Sequence, residues 1–357
     1  MTLSNVFIGK KVVQQIYLNN ALIYQANGWQ PLPNTPQTIW TKQFGDASFA
    51  FSITFDSKNN MATTYYYNSA IWMIKIDPDG KVLWNNRIDT AASTAFDLYT
   101  DSADNIYCVT IAAYSSSTYQ TVIRKIDGAT GNQLKTFDIT DDLYGRYAPK
   151  DIKYDNSYIY VLQSIGTPGI YTFDYSGKLV TAKSGPTYTN PNCMAINTNY
   201  IFLGTNSGTY QIPKNSTGNS LKAGILLDSS VTTKLLCDQF NNLYIFRTGS
   251  GSPNYFGKYS LTKNQACWPK VTLSDSSYII DACIDYQCNI YVMQWVYRPG
   301  DSKYLTTKYS ADGQQQWSIT GYVSDYAKIA TDSLGNIYQV DGKLNVTKTI
   351  NLVKKGS

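Results

Sequence analysis

The chain has 357 residues, of which 43% are hydrophobic, 14% aromatic and only 15% charged, with a formal net charge of +5. It contains no His and no Glu, all 25 acidic residues being Asp, which removes Ser-His-Asp and Cys-His nucleophile systems, His-ligated zinc and half of the usual carboxylate pairs. The mild, unclustered charge gives nucleic-acid binding no support; no apolar run reaches membrane-spanning length, and the first residues lack a signal-peptide core, so the expectation is a chain folded in a cytoplasm with no membrane insertion.

Thirty-one Tyr residues and long Ser/Thr/Asn stretches indicate an all-β protein. The six cysteines (Cys108, Cys193, Cys237, Cys267, Cys283 and Cys288) have no metal-ligand spacing. Five are expected in strands and Cys288 in a turn, all as buried thiols, with no cofactor or metal expected.

In chain order, residues 1–33 form a first unit. NVFIGKKVVQQIYLNNALIYQ reads as short strands joined by Gly9–Lys10 and Asn19–Asn20 turns. GWQPLPNTPQ follows, with three prolines, and reads as a linker that resists helix and sheet. So small a β module needs a partner to bury a core. The residues Val6, Gly9, Lys10, Lys11, Ile16, Tyr17, Leu22, Ile23 and Tyr24 make this segment resemble an N-terminal module of tail and baseplate proteins in phages of lactic-acid bacteria. That resemblance implies attachment to phage tail or baseplate proteins through residues 1–33, a location in the virion at the tail tip or baseplate, a homotrimer, and a host-recognition domain behind the module.

That domain spans residues 34–357. Seven Asp/Asn-rich turns lead into an apolar residue and then Ala62, Tyr107, Tyr160, Phe202, Tyr244, Tyr291 or Tyr338, at spacings of 45, 53, 42, 42, 47 and 47 residues. Four short strands per unit of that size make a propeller blade, so the fold expected is a seven-bladed β-propeller. Fourth strands carry Trp84, Trp268 and Trp317, whereas the seventh unit runs out after LNVTKTI. TIWTKQF, residues 38–44, has Trp40 in the matching place and is expected to complete the last blade, closing the ring with both chain ends. The DxxGNIY turns and D-x-x-G-x-x-x-W ends resemble those of bacterial quinoprotein-like and NHL-like propellers, which implies the same fold and no particular function.

Strand polarity puts A–B and C–D turns on one face and B–C and D–A loops on the other. The first set reads as short; the second reads as long and aromatic, from TTYYYNSA to GYVSDY. Both chain ends leave on the plain face. Asp77 and Asp79, or Asp101 and Asp104, lie in repeat turns without calcium-loop spacing. SADGQQQW misses the Asp-box spacing of sialidases by one residue, and a quinoprotein site would need a Glu or an adjacent Cys pair.

Tyr and Trp stack on the apolar faces of sugars, and Asp, Asn, Arg and Gln bond their hydroxyls. The candidate ligand-binding residues are Tyr66, Tyr114, Tyr144, Arg146, Tyr147, Tyr188, Tyr255, Trp295, Tyr297, Arg298, Asp301, Tyr304, Tyr322 and Tyr326, with Tyr65 and Tyr67 beside them. The expected function is recognition of host cell-wall polysaccharide by a phage receptor-binding protein without catalysis. Two alternatives stay open: a structural tail or neck decoration protein, and a carbohydrate-active enzyme using Asp141, Asp142, Asp301 or Asp325.

Overall fold

In the computed structural model, side chains are described for residues 36–350 except 46–48, 91, 93, 114–117, 144–145, 164–168, 184–190, 216–223, 248–253, 274–276, 298–302 and 322–326. Outside that range the backbone of 6–8, 11–13, 15–18, 21–25, 29–31 and 352–354 is described. Seven antiparallel sheets follow one another around a ring.

Blade 1 comprises Phe49–Phe55, Met61–Tyr67, Ala70–Ile76 and Val82–Asp89 as strands A to D. In blade 2 the inner strand is split into Thr94–Ala95 and Tyr99–Thr100, followed by Ile106–Ala113, Tyr119–Ile126 and Gln133–Asp138. Blade 3 is Pro149–Tyr154, Tyr158–Gln163, Gly169–Asp174 and Leu179–Ser184. Blade 4 is Pro191–Ile196, Tyr200–Thr205, Gly208–Pro213 and Ile225–Asp228. Blade 5 has Lys234–Cys237, Asn242–Arg247 and Tyr255–Ser260, with Gln265–Ala266 and Val271–Thr272 sharing its outer edge. Blade 6 is Ser277–Ile284, Ile290–Val296, Lys303–Tyr309 and Gln315–Gly321.

Blade 7 is made from both ends of the domain. Lys328–Thr331, Ile337–Val340 and Asn345–Ile350 supply strands A to C, and Gln37–Gln43 pairs with the third as strand D. Trp40 lies opposite Lys348, as Trp84 lies opposite Lys75 and Trp317 opposite Lys308.

The A–B turns repeat for a local reason. Asp56 Oδ1 accepts the backbone N–H of Lys58 and Asn60, each at 2.9 Å, and its Oδ2 accepts the Asn60 side chain at 2.8 Å. The same side chain–backbone lock recurs at Asp101–Asn105, Asp238–Asn242, Asp285–Asn289 and Asp332–Asn336. It holds the residue before the Asn at positive φ, a place taken by Asn59, Asp104, Asn241, Cys288 and Gly335.

The residue that ends each repeat, aromatic in all but the first, then enters the seam with the following blade. Seven buried clusters fill seven seams, and the repeat residues Ala62, Tyr107, Tyr160, Phe202, Tyr244, Tyr291 and Tyr338 each fall in a different one.

An indole clamp ties several seams on the turn face. Trp84 Nε1 and Lys75 Nζ both donate to the Gly128 carbonyl of the next blade's C–D turn, at 3.1 and 2.7 Å. Trp40 and Lys348 do the same to Pro78 (3.2 and 2.8 Å), and Trp268 and Lys258 to Ala311 (3.2 and 3.4 Å). The turn must be glycine where the ring lies across it: a Cβ on Gly131 would meet Trp84 at 2.7 Å, and its φ is +73°.

Two expectations are corrected. Trp29–Pro31, expected as unpaired linker, pairs with Leu352–Lys354, because an extended strand edge past blade 7 offers it backbone partners. The thiols also diverge. Cys108, Cys193 and Cys288 are buried, but Cys267 lies outside any strand and is exposed, because the outer strand of blade 5 is broken between residues 266 and 271. Burial pushes the Cys108 thiol up to about 12. The N-terminal segment forms two hairpins, Val6–Ile8 with Lys11–Val13 and Gln15–Leu18 with Ala21–Gln25.

Candidate functional site

On the face of the B–C and D–A connections the blades are unequal. B–C connections are tight in blades 1, 4 and 7: Asn68–Ser69, Asn206–Ser207 and an Asp341–Asn345 turn like those of the opposite face. The expectation of a long aromatic loop at TTYYYNSA is corrected. TTYYYNSA is strand followed by a two-residue turn, with φ of 47° and 57° at Asn68 and Ser69. Blades 2, 3, 5 and 6 have the longer connections.

Blade 6 carries a row of rings. Tyr278, Trp295 and Tyr304 lie directly opposite one another on strands A, B and C, so their side chains share one sheet face. Tyr278 stacks on Trp295 at 5.9 Å with 26° between planes, and Tyr297 meets Trp295 at 5.7 Å. Tyr278 is 46% and Tyr297 50% exposed. Trp295 shares a strand face with Tyr291 and Met293, so the row continues the buried seam with blade 7 up to the surface.

A second set stands on blade 1, across blade 7. Tyr65 stacks on Trp72 at 6.5 Å, Tyr67 meets Trp72 at 6.4 Å, and the Tyr65 hydroxyl donates to Asn85 at 2.9 Å. The Trp72 N–H is buried without an acceptor among the described residues. Strand B runs five residues past the repeat aromatic position in blades 1 and 6 but two in blade 7. At about 3.3 Å per residue, the ends of strand B in blades 1 and 6 therefore stand roughly 10 Å beyond that of the blade between them.

Other sequence-derived candidates sit elsewhere. Tyr66 packs partly buried against the seam of blades 1 and 2 and against Phe49 at 6.3 Å. Tyr255 is buried, accepting a hydrogen bond from Lys270 at 2.9 Å beneath the Arg247 guanidinium. Both positions alternate inward, so their area goes into packing instead of the surface. Arg146, at φ 53°, pairs with Asp141 at 2.6 Å, and the Tyr147 carbonyl accepts a bond from Gln163. Tyr114, Tyr144, Tyr188, Arg298, Asp301, Tyr322 and Tyr326 lie outside the described residues.

Sequence reasoning missed the ring axis. A cavity of about 290 Å³ is lined there by Ser52, Asp97, Lys153, Lys234, Asp281 and Lys328. Lys153 bridges Asp97 and Asp151, and Lys234 pairs with Asp281. Burial alone would lower the Lys153 pKa, but the two carboxylates outweigh it and keep the ammonium charged. Several of these groups also stitch inner strands together: Ser52 accepts the Leu98 N–H at 3.0 Å, Asp151 the Met194 N–H at 2.6 Å, and Asp281 the Ile329 N–H at 3.0 Å. The signal was present, since Ser52, Asp97, Asp151, Lys234, Asp281 and Lys328 each stand four residues before the first residue of their A–B turn.

Seven four-stranded units closed by a strand from the N-terminal side define a seven-bladed β-propeller. Among solved structures the chain is similar to a catalytically inactive variant of virginiamycin B lyase from Staphylococcus aureus with quinupristin: TM-score 0.61, 12% identity, covering 88% of this chain and 99% of that one. It is also similar to the WD40 β-propeller domain of Doa1, with TM-score 0.59 and 10% identity over 88% of this chain and 97% of that one. At such identities the likeness is one of fold. No family model matches the chain, and no curated protein sequence matches it.

Proposed function

We propose that this propeller is a binding protein that recognises a cell-surface saccharide through the aromatic row of blade 6. The observation that carries the reading is the Tyr278–Trp295–Tyr297 array, in which the Trp295 ring touches both tyrosines and the tyrosines are about half exposed. Large aromatic area left at a surface costs free energy unless a ligand covers it, and flat sugar faces match flat rings. The blade 1 set, facing it across the lower blade 7, gives a second wall for an extended polysaccharide.

The biological setting proposed is a phage tail or baseplate, with residues 1–33 attaching to virion proteins and several copies giving avidity to weak single sites. It rests on the likeness of the N-terminal segment, and a tail operon around the gene would support it. The test uses the full chain and purified host wall polysaccharide in a binding titration. Trp295→Ala with Tyr297→Ala is expected to weaken binding at least tenfold with the melting temperature retained. Unchanged affinity in that variant, or no binding by the parent protein together with no competition for phage adsorption, would sink the proposal.

A further inference from the structure

The turn face has a gap in its clamp. The residue opposite the repeat position on strand C is Lys in blades 1, 2, 5, 6 and 7, but Gln211 in blade 4 and the shorter Thr172, opposite Tyr160, in blade 3. Across from it on strand D, where blades 1, 6 and 7 place Trp84, Trp317 and Trp40, blade 2 places Lys135, blade 4 Ile225 and blade 3 the smallest of these, Thr181. Both arms of the clamp are therefore cut back at the seam between blades 3 and 4.

The space left by the short strand-D side chain is still there. A groove of about 800 Å³ runs along this seam, with Tyr158, Tyr160, Thr172, Val180, Thr181 and Ile196 among its walls. That volume lies within the roughly 300–1,000 Å³ common for ligand sites. Tyr158 is 36% and Val180 45% exposed at its rim.

The charged groups around the groove already have partners, carboxylate or carbonyl. Lys214 reaches back from blade 4 to pair with Asp155 at 2.6 Å and stands 4.7 Å over the Tyr160 ring, the place the missing strand-C lysine would take. Lys183 donates to the Pro213 and Lys214 carbonyls at 3.2 and 3.0 Å. These are the counterparts of the Pro78, Gly128 and Ala311 carbonyls, and each retains a second lone pair for an indole N–H. A neutral, flat, aromatic guest with one donor fits this lining better than an ion.

We propose that the groove between blades 3 and 4 is a binding site for an aromatic side chain, a tryptophan presented by a partner polypeptide. The guest takes the place that the chain's own indoles fill at the seams after blades 1, 5, 6 and 7. The partner approaches on the turn face, where the paired strands Trp29–Pro31 and Leu352–Lys354 leave the ring, so the site is separate from the saccharide surface proposed above.

The probe is N-acetyl-tryptophanamide, with N-acetyl-leucinamide as apolar control, followed by calorimetry and ligand-observed NMR on the full chain. The tryptophan amide is expected to bind saturably and at least tenfold more tightly than the leucine amide. Thr181→Trp, which restores the indole, should abolish binding and raise the melting temperature. Val180→Asp at the exposed rim should weaken binding if Thr181→Trp does not fold. Trp295→Ala with Tyr297→Ala should leave it unchanged, which separates failure of this site from failure of the saccharide site. Absence of saturable binding, equal binding of the two amides, or undiminished binding in a folded Thr181→Trp protein or in Val180→Asp would overturn the proposal.

Discussion

The two faces of the ring are built from the same strands but obey different rules. On the turn face, five A–B turns use one Asp-to-Asn lock, and three seams use one Lys–Trp clamp on a carbonyl. On the opposite face, B–C connections range from two-residue turns to loops of several residues, and exposed rings gather on blades 1 and 6. A repeat persists where each copy must meet the next in the same geometry. It relaxes where a residue meets only solvent or a ligand.

The sharpest test sets one indole from each face against the other. Trp84→Ala removes a buried ring and the N–H to Gly128, and should cost about 3–5 kcal/mol in chemical denaturation. Trp295→Ala should cost less than half as much while losing saccharide binding. Equal costs would erase the distinction between the faces.

Next in size is the turn lock. Asp238 accepts Asn242 Nδ2 at 2.8 Å and the Tyr244 hydroxyl at 3.0 Å, besides the N–H groups of Phe240 and Asn242. Asp238→Ala strands these donors and should destabilise by about 3 kcal/mol. Asp141→Ala on the other face, whose carboxylate pairs with Arg146 in solvent, should fall within about 1 kcal/mol.

Acid should act through the same turn face. Burial alone would raise the pKa of Asp56 and Asp155, but the bonds from Lys75 and Lys214 outweigh it and hold both below the usual carboxylate value. A carboxylate lowered in the folded state stabilises fully above its unfolded pKa of about 3.9, and that contribution is lost as pH falls through the folded value. Stability should therefore drop below about pH 4, and Asp56→Asn should flatten that drop while lowering stability at neutral pH. A flat acid limb in the parent protein would remove this role.

The smallest effect belongs to the loop face. Ser69 sits at φ 57° in a two-residue turn after Asn68, a geometry that favours Asn-Gly. Ser69→Gly should raise stability by up to about 1 kcal/mol, read as a small upward shift of the melting temperature.

Much of the fold was legible because its signals are local. The Asp/Asn turns fix their own geometry, and the aromatic after each reports a seam. Even the split blade could be read, since Trp40 carries the mark of a fourth strand. The segment 38–44 and the observed Gln37–Gln43 differ by a single residue at each end. The loop face was harder. Tyr65, Tyr66 and Tyr67 look alike in sequence, yet alternation in strand B sends Tyr66 to one seam and Tyr65 to another. The charges on the axis and the blade 3/4 groove escaped because each depends on comparing one position across all seven copies. Thr181 means nothing until it is set beside Trp84.

The closure of blade 7 also sets an order in time. Thr41 and Thr347 share a hydrogen bond at 3.0 Å across 306 positions of sequence. During synthesis the strand Gln37–Gln43 leaves the ribosome long before Asn345–Ile350 exists, and must wait with its edge unpaired while the other blades assemble. The step that completes the ring makes the longest-range pairing among the seven blades, and is expected to be slow for that reason. A circular permutant opened between Gln43 and Phe49, where blade 7 hands over to blade 1, and joined across the old ends would have no such wait. Its refolding rate, compared with that of the natural order, measures what the wait costs.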